Sequence, residues 1–320
     1  MGTKILQEKL QMNNTLDTFV TINNRFCRSV NINKDFNDIE LLKTIICPNS
    51  FRLVIDNIID NVYSTGQTAF TWTGPYGAGK SSLALLLTAL FGINKRKREF
   101  AEIIIGNTQA KKIYTKLGID KGWKILPIVG ELDSIENILY KEIGIDTNTS
   151  PKEIFKYINK YLEKNEGLLV ILDEMGKCLE AAAKKNQDIY IYQQLAEFAS
   201  RTNGKFIIIG ILHQSFGDYA RYLPYTVRDE WIKVQGRYVD IPINTVGEEQ
   251  IELINRAIKS ISHSNTFITS IANKTVECIA NNRKIISQKI LIEKLINCWP
   301  ISPIVIFLSS CAIKLFLLKI

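Results

Sequence analysis

Residues 74–81 read Gly-Pro-Tyr-Gly-Ala-Gly-Lys-Ser, with three glycines, a lysine and a hydroxyl at the spacing G-x-x-x-x-G-K-[ST]. Those residue types in that order suit the holding of a phosphate chain. Gly74, Gly77 and Gly79 let the backbone take conformations closed to other residues and come close to oxygen atoms. The N–H groups of the loop, with those of a following helix N-terminus, then face the anion. Lys80 is placed to neutralise the β- and γ-phosphates, and Ser81 to set its hydroxyl on Mg²⁺. The expected contact set is Gly74, Pro75, Tyr76, Gly77, Ala78, Gly79, Lys80, Ser81 and Ser82, around Mg·ATP. A Gly-rich turn that binds nothing is the alternative. It would not account for the apolar strand expected at 68–73 before the loop, or the helical run Ser82–Leu87 after it.

A second cluster lies at 168–174, Leu-Leu-Val-Ile-Leu-Asp-Glu, where a buried strand ends in two carboxylates. In open α/β sheets ligands sit outside the carboxyl ends of strands. Asp173 is therefore expected to hold Mg²⁺ through water, and Glu174 to polarise an attacking water as general base. Two carboxylates suit hydrolysis better than transfer to a bound acceptor. The alternative for the pair is helix capping after a core strand.

Positioning these groups requires alternating elements. Strand-like runs are expected at 68–73, 124–130, 168–172, 205–212 and 238–243, with helices at 79–91, 134–143, 151–164, 176–184 and 188–201. Leu168–Leu172 and Phe206–Ile209 are apolar on both faces, as strands covered by helices on both sides must be. The alternation predicts an α/β fold with a parallel, doubly wound sheet. Helices at about 37–47 and 51–65, the second capped by Asn49 or Ser50, make residues 1–66 a helical lead-in. The nucleotide domain is expected over 67–245. Helices at 247–262, 265–281 and 285–297 make 246–320 a helical lid.

The two motifs, with this sheet and lid, resemble the Walker A and Walker B segments of additional-strand P-loop ATPases, the AAA-like and STAND branches. That resemblance implies a P-loop NTPase sheet with the phosphate strand central and one strand between it and the acidic-pair strand. The intervening strand would be 205–212, and its end, His213-Gln214-Ser215, would supply a sensor, Gln214 or His213. A hydrogen-bonded histidine at a strand end is the other reading of His213. Gln235–Ile243 looks like the stretch before the last AAA strand, which makes Arg228 and Arg237 candidates for reaching a neighbour's γ-phosphate; a surface arginine in an ion pair is the alternative for each. The segments Asp173–Lys177, Gln193–Glu197, Gly210–Phe216 and Glu230–Arg237 further resemble large bacterial P-loop ATPases encoded near anti-phage defence genes. The resemblance implies an ATPase needing ATP and Mg²⁺, a homo-oligomer, and downstream domains or a protein partner.

Composition narrows the rest. The hydrophobic fraction is 46% and the charged fraction 22%, ordinary for a globular chain. Six scattered cysteines without C-x-x-C spacing favour reduced thiols and a cytoplasmic setting. Two histidines and no Cys/His cluster give no reason for a zinc site. The net charge of +8 leaves nucleic acid open as a partner, although the basic run Lys95–Arg98 reads as a solvated loop. Residues 1–12 lack an apolar stretch, so no signal peptide is expected. At the other end, Ile301–Ile313 gives only 13 uncharged apolar residues, against about 20 for a bilayer-crossing helix. A buried lid helix, a tail anchor and the cut end of a longer protein are the three readings of this stretch; the last is preferred and a membrane role disfavoured. Two alternatives to a working ATPase remain, a slow-turnover nucleotide-gated switch and a DNA-linked motor. No Asn-Lys-x-Asp segment supports a GTPase.

Overall fold

The computed structural model describes residues 20–23, 28–146, 149–185, 189–244, 247–260, 266–280 and 287–308. By its contacts the chain forms two units, Val30–Asn244 and a smaller one drawn from residues 1–29 and 245–320. The first described element, strand β1 (Val20–Ile22), belongs to the smaller unit.

The larger unit opens with helices α1 (Ile39–Lys43) and α2 (Asn49–Thr65). Phe51, Val54, Ile55, Ile58, Ile59 and Val62 give α2 a buried stripe at helical spacing, and Gly66 ends it in the left-handed conformation. The expected side-chain cap is not used: the N-cap is Pro48, and the helix already includes Asn49 and Ser50. Strand β2 (Ala69–Thr73) then runs into the glycine loop, and α3 (Lys80–Phe91) leaves it. Helices α4 (Lys95–Ile105) and α5 (Asn107–Leu117) precede strand β3 (Lys124–Val129). Next come α6 (Ile135–Ile143), α7 (Lys152–Leu162), β4 (Leu168–Asp173), α8 (Met175–Lys185), α9 (Tyr190–Ser200) and β5 (Phe206–Ile211). Short α10 (Phe216–Tyr219), then α11 (Tyr225–Gln235), leads to β6 (Val239–Pro242).

The five strands from β2 to β6 form one parallel sheet in the order β3-β4-β5-β2-β6. The fold is therefore α/β and doubly wound. Strand β5 separates the glycine-loop strand from the acidic-pair strand, as the resemblance implied, but β2 is not central: it lies fourth, beside edge strand β6, and β5 takes the middle. Every residue of β4 and β5 is buried, and successive residues join opposite cores, as two covering layers demand. Leu169, Ile171, Ile207 and Ile209 join one core with α2, α3 and α5, whereas Leu168, Val170, Leu172 and Ile208 join the other with α6 to α9. Edge strand β6 is tied to β2 by Asp240, which accepts from the hydroxyls of Thr71 at 2.8 Å and Thr73 at 3.0 Å.

Lys95–Arg98 is the first turn of α4, not a solvated loop. Asn94 caps it by accepting from the Lys97 backbone N–H at 3.2 Å. Lys97 is 7% exposed. Its ammonium donates to the Phe36 carbonyl and, at 3.0 Å, to Asn37, and lies over the Phe36 ring. Arg98 donates to the Asp120 carbonyl at 3.0 Å.

In the smaller unit, helix α12 (Gly247–Ala257) is followed by strand β7 (Ile258–Ser260), where the sequence pattern continued the helix to 262. Strand β7 pairs antiparallel with β1, a partner remote in sequence that no local pattern shows. Helices α13 (Thr266–Ala280) and α14 (Gln288–Asn297) complete a small core of Ile251, Ala272, Val276, Leu291 and Leu295. No helix among the described residues is long and apolar enough to cross a membrane. Residues 309–320, which include the last five of the 13-residue apolar run, lie outside the described residues.

Candidate functional site

The glycine loop sits at the carboxyl end of β2, the fourth of the five strands, where β2 gives way to α3. Gly77 and Gly79 have φ of 78° and 83°, the left-handed region that glycine enters without steric cost. At Gly79 a side chain is excluded twice over, because a Cβ there would lie 2.7 Å from the ring of Phe51 in the first turn of α2. Helix α3 has no side-chain cap hydrogen bond at this N-terminus. Its first N–H groups, those of Lys80, Ser81 and Ser82, thus add to the loop amides as donors for an anion. Ala78 is buried, whereas Tyr76 is 80% exposed.

Lys80 is only 5% exposed. Its ammonium curls back on the loop and donates to the carbonyls of Gly74 at 2.5 Å and Pro75 at 2.8 Å. Burial pulls its pKa down to about 8, with Asp173 acting in the opposite sense. The group is still a cation at neutral pH, in surroundings where screening by water is weak. Asp173, at the end of β4, is 6% exposed. Burial raises its pKa, opposed by hydrogen bonds from the Ser81 hydroxyl and the Glu174 backbone N–H and by the Lys80 charge. The structure therefore brings Lys80, Ser81 and Asp173 together, although Asp173 stands more than 90 residues from the other two.

Ser81 and Asp173 fit a magnesium ion by their chemistry. Both offer hard oxygen donors, already in contact with each other and beside a loop shaped for phosphate oxygens. Mg²⁺ keeps several waters and takes few protein ligands, so two donors suffice.

Glu174 follows with φ of 53°, a left-handed conformation unusual for a residue with a side chain. Such a conformation costs roughly 1–2 kcal/mol. Two contacts hold it: its N–H donates to Asp173 Oδ1 at 2.9 Å, and its carbonyl accepts from the Lys177 N–H at 3.0 Å as α8 begins. The Glu174 carboxylate forms an ion pair with the Lys177 ammonium. That hydrogen bond raises the Lys177 pKa. Sequence reasoning quoted Lys177 but gave it no role; its i+3 position after Glu174 was the available signal.

Beyond β5 the chain places His213 rather than Gln214 among these groups. The His213 ring stacks on Tyr76, with centroids 3.7 Å apart. Burial lowers its pKa, as do Lys80 and Lys177, while Glu174 raises it. Gln214 is exposed. The Tyr219 hydroxyl lies close to the backbone N–H groups of His213 and Gln214, which oppose the rise that burial gives its pKa. The same hydroxyl lies where a Cβ on Gly176 would be, 2.2 Å away, so the start of α8 and the end of β5 are locked together. Neither Tyr219 nor the Tyr76–His213 stack was legible beforehand.

The two arginines lie elsewhere. Arg237 is next to β6 at the amino end of the sheet, where its guanidinium pairs with Glu197 at 3.2 Å and its carbonyl accepts from Gln67 at 2.9 Å. Gln67 is seven residues upstream of Gly74, so about 20 Å of strand separates Arg237 from the glycine loop of its own chain. Arg228 is exposed on α11.

No protein-family model and no curated protein matches this chain. Among solved structures it is similar to the Aeropyrum pernix ORC2 protein in its ADPNP–ADP complexes, at 14% identity and a TM-score of 0.44, over 81% of this chain and 70% of that one. It is also similar to domain III of the Thermotoga maritima replication initiation protein DnaA, at 10% identity and 0.35, over 81% of this chain and 96% of that one. A Walker-type ATPase of Pyrococcus abyssi follows at 12% identity and 0.34, over 80% of this chain and 65% of that one. Likenesses this distant say nothing of what this chain binds.

Proposed function

We propose that this chain binds Mg·ATP at Gly74–Ser82 and hydrolyses it, as an AAA/STAND-like P-loop ATPase whose nucleotide state controls assembly or a partner. The observation that carries the reading is the buried meeting of Lys80, Ser81 and Asp173 at the carboxyl ends of β2 and β4, with Glu174 beside them. A buried cation, a strand-end carboxylate and a glycine-lined helix start serve a polyphosphate with its metal.

In this reading the loop N–H groups and Lys80 hold the phosphates. Ser81 and Asp173 would hold Mg²⁺, which supplies charge neutralisation at the β- and γ-oxygens. Glu174 accepts a proton from the attacking water. His213, stacked on Tyr76, takes the sensor role in preference to Gln214, because His213 feels the charges of Lys80 and Glu174. Either Arg228 or Arg237 would serve only a neighbouring copy's nucleotide, which makes a homo-oligomer part of the proposal.

The Lys177–Glu174 ion pair favours a second reading, a slow-turnover switch in a cytoplasmic signalling protein with a further domain or partner. A DNA-linked motor receives no support from Lys95–Arg98, since Lys97 and Arg98 are engaged within the fold. Steady-state ATP turnover at several protein concentrations, with and without DNA, separates the three. Turnover that depends on Mg²⁺ and rises per chain with concentration supports the leading reading.

A further inference from the structure

We propose that Lys177 is a gate on hydrolysis: it holds the carboxylate of Glu174 in an ion pair, and turnover requires that pair to open. The inference rests on the ATPase reading above and deepens it by naming a restraint built into the same site.

Three observations converge on Lys177. Its ammonium pairs with the one carboxylate placed to act as base. Its position, in the first turn of α8, puts a cation at the positive end of a helix dipole, where cations are disfavoured. The pair is also too open to serve stability, with the side chains of Lys177 and Glu174 49% and 36% exposed; exposed pairs contribute little. Glu174 itself is held in a left-handed backbone conformation, and strain of that kind concentrates at working residues and switches. The ammonium lies against one of the two carboxylate oxygens, and a water cannot take that place until it leaves. Lys177 is thus a positioning residue, acting through Glu174. The groups on other elements whose charges act on Lys177 are Tyr76, His213 and Asp173.

The test uses the full chain as wild type, Lys177→Met, Lys177→Arg, Glu174→Gln and the double variant Lys177→Met/Glu174→Gln. Binding of a fluorescent ATP analogue and steady-state turnover are measured on each. The gate predicts that Lys177→Met raises turnover roughly three- to fivefold, the factor an exposed pair can supply. Analogue binding should change little, and Lys177→Arg, which keeps the charge, should return turnover toward the wild-type value. On the Glu174→Gln background the same substitution should change nothing, a non-additivity that a merely structural lysine would not produce. If Lys177→Met binds the analogue but hydrolyses at the wild-type rate or more slowly, the gate is overturned and the ATPase reading survives. An equal acceleration on the Glu174→Gln background also overturns the gate. If the wild-type chain fails to bind the analogue, both proposals fall.

Discussion

The two ends of the five-stranded sheet use the same residue types for different purposes. At the carboxyl end, Lys80 and Asp173 are nearly inaccessible and face each other across Ser81. At the amino end, Arg237 pairs with Glu197 in the open, and Glu166 accepts the backbone N–H groups of Asp120, Lys121 and Gly122 at 2.9–3.1 Å. Charges at the amino end are spent on chain connections. Those at the carboxyl end are buried beside the glycine loop and the start of α3, which has no side-chain cap, and a buried charge is costly unless other charges and hydrogen bonds offset it. What distinguishes a site from a brace is therefore burial beside uncapped backbone donors, not the charge itself.

The largest expected effect tests the buried end. Lys80→Ala should weaken ATP binding roughly tenfold to a hundredfold, the loss of one hydrogen-bonded charge, as read by nucleotide titration. Arg237→Ala in the same assay should bind normally. Equal losses from both would erase the distinction between the two ends.

Next comes the lock between α8 and β5. Gly176→Ala drives a methyl group into the Tyr219 hydroxyl and should destabilise by about 1–3 kcal/mol in thermal or denaturant unfolding. Tyr219→Phe in the Gly176→Ala background should recover only part of the loss, because it removes the nearest clashing atom and leaves ring carbons at 2.6 and 2.9 Å.

At the amino end, Glu166→Gln should cost about 1–2 kcal/mol, since a neutral amide accepts the three N–H bonds less strongly. Burial alone would raise the Glu166 pKa, but the N–H groups of Lys121, Gly122 and Asp120 outweigh it and the net shift is downward from 4.5. A lowered carboxylate contributes stability that is complete above its unfolded value and is lost as pH falls through its folded value. Glu166→Gln should therefore flatten the loss of stability below about pH 4.5, and leave ATP binding untouched.

The smallest stability effect belongs to Arg237→Ala, under about 1 kcal/mol for an exposed pair. Its informative readout is turnover. If Arg237 acts on a neighbour, specific activity rises with concentration in the wild type and falls in the variant without loss of affinity. Concentration-independent activity would reduce Arg237 to its pairing with Glu197.

Much of the sheet was legible because its information is local. Leu168–Leu172 and Phe206–Ile209 are apolar throughout, and all five expected strands match within two residues at each end. The glycine loop was legible for the same reason, since its spacing fixes its chemistry. Helices α4 and α11 escaped notice because their charged, mixed sequences look like loops until Lys97 and Trp231 are seen buried. Strands β1 and β7 pair across more than 230 residues, so neither carries a pattern of its own. Within the site, Lys177, Tyr219 and the Tyr76–His213 stack depend on where three strands end, which no spacing along the chain reveals.

The most direct test of the central claim is Glu174→Gln measured for both Mg·ATP binding and turnover. The substitution keeps shape and removes the base. A catalytic Glu174 predicts wild-type affinity with turnover reduced by about 10²–10⁴, the usual worth of a positioned base. Wild-type turnover in Glu174→Gln would contradict it, and the carboxylates at the end of β4 would then be caps rather than catalysts.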